Sequence, residues 1–240
     1  ACERVKDKTF EKAKNVGFDI EIKYTIFSDG SILTRINGKP YGRLPNVLPR
    51  IGVVFEMNKA FDNVTWYGRG SRQNYSDCTL SAPIGLYSRK ADEMNFLFDY
   101  PQDTGNREDT EFVRLASDCC GLCVTGYDKM SFSYHEFNMN DLIAAEHRNE
   151  LKKSDSNYLY IDYKVRGLGS NSCGPNPDEK HELYTHEFEF VFLMSADCGN
   201  DEALERARRN YGVKSRALSD HYVCDETVKH ALEYADCDLD

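Results

Sequence analysis

The chain has 240 residues, of which 40% are hydrophobic and 29% charged, and its formal net charge is -10 at pH 7. This length suits one large all-β domain or two ordinary domains, and it can bury a core without a disulfide framework. The acidic balance argues against nucleic acid as a partner, because phosphate binding needs a positive surface. No run approaches the ~20 apolar residues of a membrane span, and no charged-then-apolar signal segment opens the chain, so we expect no membrane partner.

Nine cysteines are spread irregularly along the chain. A secreted disulfide scaffold is usually shorter and has an even cysteine count, so we predict unpaired, mostly buried thiols in a reducing cytoplasm. The spacing Cys120-Gly-Leu-Cys123 could hold half of a zinc site. Because no second CxxC or HxxxH follows to complete four ligands, no metal site is expected in this chain.

The first clear element is a β-hairpin. From Phe18 to Ile26 apolar residues alternate with polar ones, which is the pattern of a half-buried strand. Ser28-Asp29-Gly30-Ser31 predicts a turn, and Ile32–Ile36 predicts the strand that pairs back. Asn37-Gly38 predicts another turn.

Further strands are predicted at Ile51–Met57, Tyr158–Val165 and Glu187–Met194. A short helix is predicted after Asn138, which can cap it, and is expected to end at His147. The chain up to about Met194 is therefore strands, turns and one short helix, which favours an all-β fold, a large antiparallel β-sandwich.

The composition changes after Ala196. Asp201–Tyr211 and Asp225–Tyr234 are rich in Ala, Glu, Leu and Arg at helical spacing. We therefore predict two parts, a β-sandwich domain over residues 1–195 and a helical, acidic C-terminal tail over residues 196–240 that lies outside the sandwich.

Three polar loops are candidate binding segments. Trp66–Asp77 could stack on and hydrogen-bond to a sugar, or it could be fixed by its own hydrogen bonds and packed against the sandwich. Tyr100–Thr110 predicts a solvated loop with an internal ion pair between Arg107 and a carboxylate. Arg166–Pro175 is rich in glycine, but no Gly-Lys-Ser/Thr follows, so it is either a loop near a ligand or a plain surface loop.

No catalytic group can be assigned from spacing. Carboxylates are abundant, but no pair can be nominated for glycoside hydrolysis. His147, His181 and His186 are scattered and predicted to be structural, and no Ser-His-Asp or Cys-His arrangement can be built.

The three loops belong to a longer series of motifs that occur in a fixed order between Phe18 and Met194. The series is Leu48-Pro49-Arg50-Ile51-Gly52, Trp66-Tyr67-Gly68-Arg69-Gly70, Asn74-Tyr75-Ser76-Asp77, Pro101-Gln102, Gly105-Asn106-Arg107, Phe132-Ser133, Asp141-Leu142, Ala145-Glu146-His147, Glu150-Leu151, Gly167-Leu168-Gly169-Ser170 and Ser172-Cys173-Gly174-Pro175. In this order it resembles the C-terminal domain of the β-galactosidases of glycoside hydrolase family 2, also called the β-galactosidase small chain.

The resemblance implies a sandwich similar to that of galactose mutarotases. It implies that the catalytic carboxylates, with Mg²⁺ and Na⁺, belong to a preceding TIM-barrel domain, so that this chain holds no catalytic residue and no cofactor. It also implies that the loop matching Ser172-Cys173-Gly174 forms a wall of the substrate pocket, where other members carry Trp or Cys. Asn171 and Cys173 are therefore the residues predicted to lie nearest the substrate.

Two departures from the family pattern carry expectations. Ser71, Gln73 and Cys78 replace the usual Pro, Glu and Arg of the loop, which predicts the loss of a salt bridge that tethers it. The chain also begins inside the family domain, so its first strands are expected to be missing and an edge or apolar face to be exposed.

The resemblance predicts a cytoplasmic, oligomeric enzyme that hydrolyses terminal β-D-galactosides such as lactose, with the isolated chain inactive. One alternative is a stand-alone sugar mutarotase or epimerase, which needs a His acid and a carboxylate base facing one open pocket. Another is a non-catalytic carbohydrate-binding or assembly module.

Overall fold

A computed structural model describes residues 15–169, 174–197 and 199–217. Within these ranges the chain forms antiparallel strands, two α-helices and short 3-10 turns. The strands are β1 (Gly17–Ile26), β2 (Ile32–Tyr41), β3 (Arg50–Asn58), β4 (Asn63–Arg69), β5 (Ile84–Lys90), β6 (Arg107–Ala116), β7 (Gly121–His135), β8 (Ser156–Val165) and β9 (Phe188–Ala196). The helices are α1 (Met139–Ala144) and α2 (Asn200–Ala217), and the 3-10 turns are Ala91–Glu93, Arg148–Glu150 and Glu179–His181. None of the helices in these ranges is long and apolar enough to cross a membrane.

The predicted first hairpin is confirmed. Ile26 of β1 pairs with Ile32 of β2 across the predicted turn. Gly30 has a φ of 81°, and Asp29 Oδ1 accepts the Ser31 backbone N–H at 2.9 Å. An aspartate that bonds the backbone two residues on, followed by a glycine at positive φ, explains why the chain reverses here.

The predicted turn at Asn37-Gly38 is wrong. Asn37 pairs with Glu21 of β1, and Gly38 pairs with Phe188 of β9, so both lie inside β2. A Cβ on Gly38 would come within 2.1 Å of a carbon of the Phe188 ring. Gly38 is therefore explained by the close approach of an aromatic ring rather than by a turn.

The predicted short helix is confirmed at its start and shorter at its end. Asn138 Oδ1 accepts the backbone N–H of Asp141 at 2.8 Å, which caps α1. The helix ends at Ala144, because Ala145 is extended and Glu150 accepts the N–H groups of the following residues in place of a helical carbonyl.

Strand β7 connects two layers. Across the described residues the sheet order is β1-β2-β9-β7-β6-β4-β5, with β8 also on β7 and β3 on β8. Residues 122–126 of β7 pair with β9, whereas Ser131–His135 pair with β8. Strand β6 pairs along both halves of one edge of β7. The other edge of β7 is therefore shared by β9 and β8. The sheet therefore folds over at β7, and its two halves face each other, which confirms the all-β sandwich.

The hydrophobic core lies between these two layers. Trp66 of β4 is 0% exposed, and its ring lies 5.7 Å from that of Phe132. Phe55 of β3 contacts Phe192 of β9 edge to face at 6.3 Å. The other buried members of this core are Ile36, Val64, Ala91, Met94, Val113, Leu115, Val124, Met130, Tyr134, Leu159, Ile161 and Phe190.

Strand β1 lies at one edge of the sheet, where the opposite layer of the sandwich does not cover it. Ile22 pairs with Ile36, which faces the core, so Ile20, Ile22, Tyr24 and Ile26 point to the core side of the sheet. These four side chains, which we call the β1 apolar face, are nevertheless 45–73% exposed. The apolar side of this strand is therefore more exposed than the prediction of a half-buried strand requires. It matches the separate prediction of an exposed apolar face.

The first tail helix is confirmed and packs on the sheet. Ala203 and Ala207 of α2 are 0% exposed, and Ala203 packs with Phe112 and Cys123 on the outer face of β6 and β7. Arg114 of β6 also donates to Asp197, just before α2, at 2.5 and 2.7 Å. This helix therefore lies outside the core between the layers, as predicted, but it packs on the sheet and forms a second, small cluster of buried residues there. The helix predicted at Asp225–Tyr234 lies outside the described residues, and the division at residues 195 and 196 stays a prediction.

Candidate functional site

Two of the three predicted loops are joined by hydrogen bonds. The Asn74 backbone N–H donates to the Asn106 carbonyl at 2.8 Å, and Asn106 Nδ2 donates to the Asn74 carbonyl at 2.9 Å. Asn74 Oδ1 accepts the Glu108 backbone N–H at 2.9 Å. Both asparagines are buried. The motifs Asn74-Tyr75 and Gly105-Asn106-Arg107 are thus one structural unit, although they lie apart in the sequence.

Gln73 also tethers this unit. Its Oε1 accepts the Thr104 hydroxyl and the Gly105 N–H, both at 2.8 Å. An amide thus supplies two loop contacts at a position where the family pattern has a glutamate. The predicted loss of the family salt bridge stays a prediction, and Cys78 is exposed.

Two of the three aromatic rings of Trp66–Asp77 are buried, and Tyr67 is partly buried against Phe112. Trp66 lies in β4 and is 0% exposed, and Tyr75 is 2% exposed. Trp66 Nε1 donates to the Arg69 carbonyl at 3.0 Å. The two buried rings cannot stack on a sugar, so the structure favours a loop fixed by its own hydrogen bonds.

Arg107 is not the centre of a solvated ion pair, as the sequence had predicted. It is 2% exposed, and its Nη1 donates to the carbonyls of Met94, at 2.7 Å, and Gly105. Its guanidinium lies 5.2 Å from the Trp66 ring centroid. Burial lowers the pKa of Arg107 to about 9, with repulsion from Arg89 adding to the effect. Two backbone carbonyls and the face of the Trp66 ring therefore stabilise the guanidinium charge of Arg107.

A buried charge cluster lies beside the joined loops. Arg50 Nε is 3.4 Å from Asp162 Oδ2, and Arg50 Nη2 is 3.4 Å from Asp103 Oδ2. The Tyr75 hydroxyl donates to Asp103 Oδ1 at 2.8 Å. Gly52 leaves room for the cluster, because a Cβ there would come within 2.1 Å of Asp162 Oδ1. The motif Pro49-Arg50-Ile51-Gly52 thus supplies both the cation and the space beside it.

Burial and the opposite charge of the partner act against each other on the pKa values of Arg50 and Asp162. Burial lowers the pKa of Arg50, but Asp162 and Asp103 raise it by more, so it lies above its usual value. Burial raises the pKa of Asp162 well above its usual range, and Arg50 offsets only part of that rise. Burial dominates at Asp162, because its side chain is 1% exposed and neither carboxylate oxygen accepts a hydrogen bond within the described residues. The ion pair therefore carries a large desolvation cost.

His135 and Glu108 belong to the same buried region. Burial raises the pKa of the Glu108 carboxyl to about 7. His135 is 2% exposed, its Nε2 lies 3.0 Å from Ser133 Oγ, and its ring meets that of Tyr160 edge to face. Burial, together with the smaller effect of the charges of Arg50 and Arg107, lowers the pKa of His135 to about 3.

We expect His135→Gln to change how stability depends on pH. The unfolded imidazole takes a proton below about pH 6.5, whereas the folded one stays neutral until about pH 3. Neutral His135 thus stabilises the fold above pH ~6.5, and this contribution is lost as the pH falls. The wild type should lose up to ~1.4 kcal/mol per pH unit relative to the variant between about pH 6 and 4, measured by urea unfolding.

Glu108 and Asp162 titrate in the opposite sense, because their folded-state pKa values are raised, so only the difference between wild type and variant isolates His135. Exposed His147→Gln is the control and should keep the wild-type slope. Equal slopes for His135→Gln and wild type would contradict a neutral buried imidazole.

Asp77 links the joined loops to the third predicted loop. Its Oδ2 accepts the Gly169 backbone N–H at 2.7 Å, and Gly169 has a φ of 79°. A Cβ on Gly167 would lie 2.8 Å from the Asp77 carboxyl carbon. The predicted substrate-binding residues Asn171 and Cys173 follow this anchor and lie outside the described residues.

The described residues offer few reactive groups to an external substrate. Burial raises the pKa values of three carboxyls, Asp162, Glu108 and Glu111, and each of them is buried or partly buried. The imidazole of His135 is buried near Arg50 and Arg107. The described ranges contain no group of three or more His, Cys, Asp or Glu side chains that could hold a metal. A mutarotase, which needs an acid and a base facing one open pocket, finds no support in this arrangement.

The cysteines in the described ranges differ from the prediction of mostly buried thiols. Cys78, Cys119 and Cys120 are exposed, and Cys123 is buried under α2. Cys120 and Cys123 therefore lie in different environments, one in solvent and one in the packed outer face of the sheet.

The sequence reasoning missed the charge cluster. In the predicted strand Tyr158–Val165, Tyr160 and Asp162 alternate with the apolar residues and would be expected on the solvent side, yet they are 8% and 1% exposed. Arg50 was visible only as part of a motif. The available signal was the aromatic character of that supposedly polar face, since two tyrosines beside an aspartate are unusual on a solvated strand.

Comparisons with known proteins agree with the order of the motifs. A family model described as "Beta galactosidase small chain" matches residues 3–194. The chain is 34% identical over 178 residues to "Beta-galactosidase" of Actinobacillus pleuropneumoniae, which covers 74% of this chain and 17% of the relative. It is 31% identical over 180 residues to "Beta-galactosidase" of Kluyveromyces lactis, with 75% and 17% covered, and 33% identical over 147 residues to that of Staphylococcus xylosus, with 61% and 15% covered. The matched segment thus spans 15–17% of the length of these relatives.

Proposed function

Because the chain belongs to the beta galactosidase small chain family, we propose that it is the C-terminal part of a β-galactosidase that hydrolyses terminal β-D-galactosides such as lactose. The observation that carries the proposal is the family match over residues 3–194, with relatives that are named beta-galactosidase. In this proposal the chain supplies a wall of the sugar pocket and contacts for assembly, and the catalytic carboxylates belong to the rest of the enzyme.

The described contacts are consistent with a pocket wall rather than a catalyst. The joined loops form a rigid, self-bonded unit, and Asp77 ties that unit to Gly169, directly before the segment that contains Asn171 and Cys173. We propose that Asn171 and Cys173 contact the galactoside. Cys173 would shape the pocket as a small apolar surface, leaving more room than a Trp at that place.

The exposure of the β1 apolar face supports the proposal that this chain packs against the remainder of a larger enzyme. Its four side chains point to the core side of the sheet, yet nothing within the described residues covers them. Exposed apolar surface beside a strand edge marks an interface. We propose that the remainder of the enzyme covers this face, that the assembled enzyme is an oligomer, and that Mg²⁺ and Na⁺ bind to its catalytic part.

We propose a cytoplasmic location for the enzyme. Cys78, Cys119 and Cys120 are exposed free thiols. Exposed thiols persist most readily in a reducing compartment, where disulfides are rare.

A chimera tests the proposed function. The segment of the Actinobacillus pleuropneumoniae relative that aligns with this chain would be replaced by this chain, and the isolated chain would be assayed in parallel on an aryl β-galactoside. We expect the chimera to hydrolyse the substrate and the isolated chain not to, because this hydrolysis needs two carboxyls held across the scissile bond. In the chimera, Cys173→Trp should change KM by an amount worth about 1–3 kcal/mol, and Cys173→Ser should leave kcat nearly unchanged.

The acceptor enzyme without its C-terminal segment is the negative control. Turnover by the repurified isolated chain would overturn the proposal. So would a chimera that sediments as a folded particle but is no more active than the truncated acceptor.

A separate prediction tests the β1 apolar face. In the isolated chain, Ile22→Lys should reduce self-association and dye binding, and should change the free energy of unfolding by no more than about 0.5 kcal/mol. The matched control is Ile36→Lys, directly opposite on β2, which should be strongly destabilising because Ile36 is 6% exposed. Light scattering and urea unfolding measure both effects, and equal destabilisation by the two substitutions would argue that the face is covered within the chain.

A further inference from the structure

Two cysteines stand side by side at the turn between β6 and β7. β6 ends at Ala116 and β7 begins at Gly121, so Cys119 and Cys120 lie in the connecting turn. Both are exposed, and their Sγ atoms are 3.8 Å apart. Two thiols at this separation can act on one atom together, which a single cysteine cannot do.

Ser117 organises the pair. Its Oγ lies 3.6 Å from Cys119 Sγ and 3.3 Å from Cys120 Sγ, and it accepts the backbone N–H groups of both cysteines at 3.4 and 3.2 Å. Hydrogen bonds from Ser117 and then from Cys120 lower the pKa of the Cys119 thiol. The thiolate is the form of cysteine that attacks electrophiles and binds soft centres.

The geometry disfavours two other uses of the pair. Consecutive Cα atoms are about 3.8 Å apart, which is below the usual Cα separation of about 4.4–6.8 Å in disulfides, so a bond between these cysteines would be strained. A structural zinc site needs four ligands. The described residues hold no group of three or more His, Cys, Asp or Glu side chains suited to a metal.

We propose that Cys119 and Cys120 form a dithiol site that chelates one trivalent arsenic centre. Soft thiolates prefer soft acceptors, and an organic arsenoxide needs only two of them. Two As–S bonds form, the arsenic–oxygen double bond breaks, and the two thiol protons leave with that oxygen as water. Arsenic keeps its oxidation state, so no oxidant or reductant is required.

Titration of the reduced full-length chain with phenylarsine oxide tests the site. We expect one tight equivalent to bind, two thiols to become unreactive towards a disulfide reagent, and the arsenic to be recovered on the peptide that contains both cysteines. Cys119→Ser and Cys120→Ser should each weaken binding roughly 100-fold or more, because each removes one arm of the chelate. Cys78→Ser, at another exposed thiol, should leave binding unchanged.

Thermal unfolding checks that the variants keep the fold, which is expected because both positions are exposed in a turn. Wild-type affinity in either single variant would overturn the proposal, as would recovery of the arsenic on another peptide. A wild-type adduct that excess 2-mercaptoethanol removes as readily as a dithiol does would also overturn it, because a monothiol competes poorly with a chelate.

Discussion

Asp162→Ala is expected to lower the free energy of unfolding by about 3–5 kcal/mol at about pH 8, where the carboxyl of the wild type is ionised. The substitution leaves Arg50 charged in a buried site, where Asp103 at 3.4 Å, the carboxyl of Glu108 and the face of the Tyr160 ring offset the charge only in part. None of the guanidinium nitrogens of Arg50 donates a hydrogen bond within the described residues, so no other acceptor compensates. Urea unfolding monitored by Trp66 fluorescence and circular dichroism measures the loss.

A double substitution separates the charge effect from packing. Arg50→Met with Asp162→Leu removes both charges, and we expect it to recover most of the loss, because buried ion pairs are often replaceable by apolar residues of similar volume. Lys90→Met is the control at the exposed Lys90–Asp62 pair, 2.8 Å apart, and should change the free energy of unfolding very little. If Asp162→Ala lowered the free energy of unfolding by as little as Lys90→Met does, the result would show that water reaches Arg50.

Asp77→Ala, placed in the β-galactosidase chimera, is expected to lower kcat/KM by about 10- to 100-fold. Its carboxylate accepts the Gly169 N–H at 2.7 Å, and a hydrogen bond to a charged group is worth about 1.5–3 kcal/mol. Asp77 would act through the loop rather than on the sugar, so it is a positioning residue. Loss of its anchor should misplace Cys173 and Asn171 and appear mainly in KM.

Asp178→Ala is the matched control for Asp77→Ala. Asp178 belongs to an exposed ion pair with Lys180 in the same connection, and its loss should leave kcat/KM nearly unchanged. Asp77→Asn should be intermediate, since its amide oxygen can still accept the N–H. If Asp77→Ala lowered only the yield of folded enzyme and left kcat/KM intact, its role would be structural.

The strands could be predicted well where one face of a strand is buried. Strands β1, β8 and β9 follow from the two-residue alternation of their apolar side chains, which marks one face of each strand. Alternation does not reveal whether a second layer covers that face. The β1 apolar face has the same pattern as a core strand, yet it is exposed because the second layer ends before it.

The candidate site was harder to predict because its contacts are non-local. Gly38 has the sequence signature of a turn, but its role depends on Phe188, which lies far along the chain. Arg107 was expected to pair with nearby carboxylates, whereas its partners are carbonyls and the Trp66 ring. The motif order indicated the family, but only the fold brings Asn74 to Asn106 and Asp77 to Gly169.

The shared strand β7 makes the sandwich a single cooperative unit. Because β9 and β8 hydrogen-bond to the same edge of β7, neither layer can open there without disturbing the other. Amide protons of its paired segments should therefore exchange with solvent only when the whole domain unfolds. Strand β6 directly precedes β7, whereas β9 lies far along the chain, so the β7–β9 pairing raises the contact order and should slow folding.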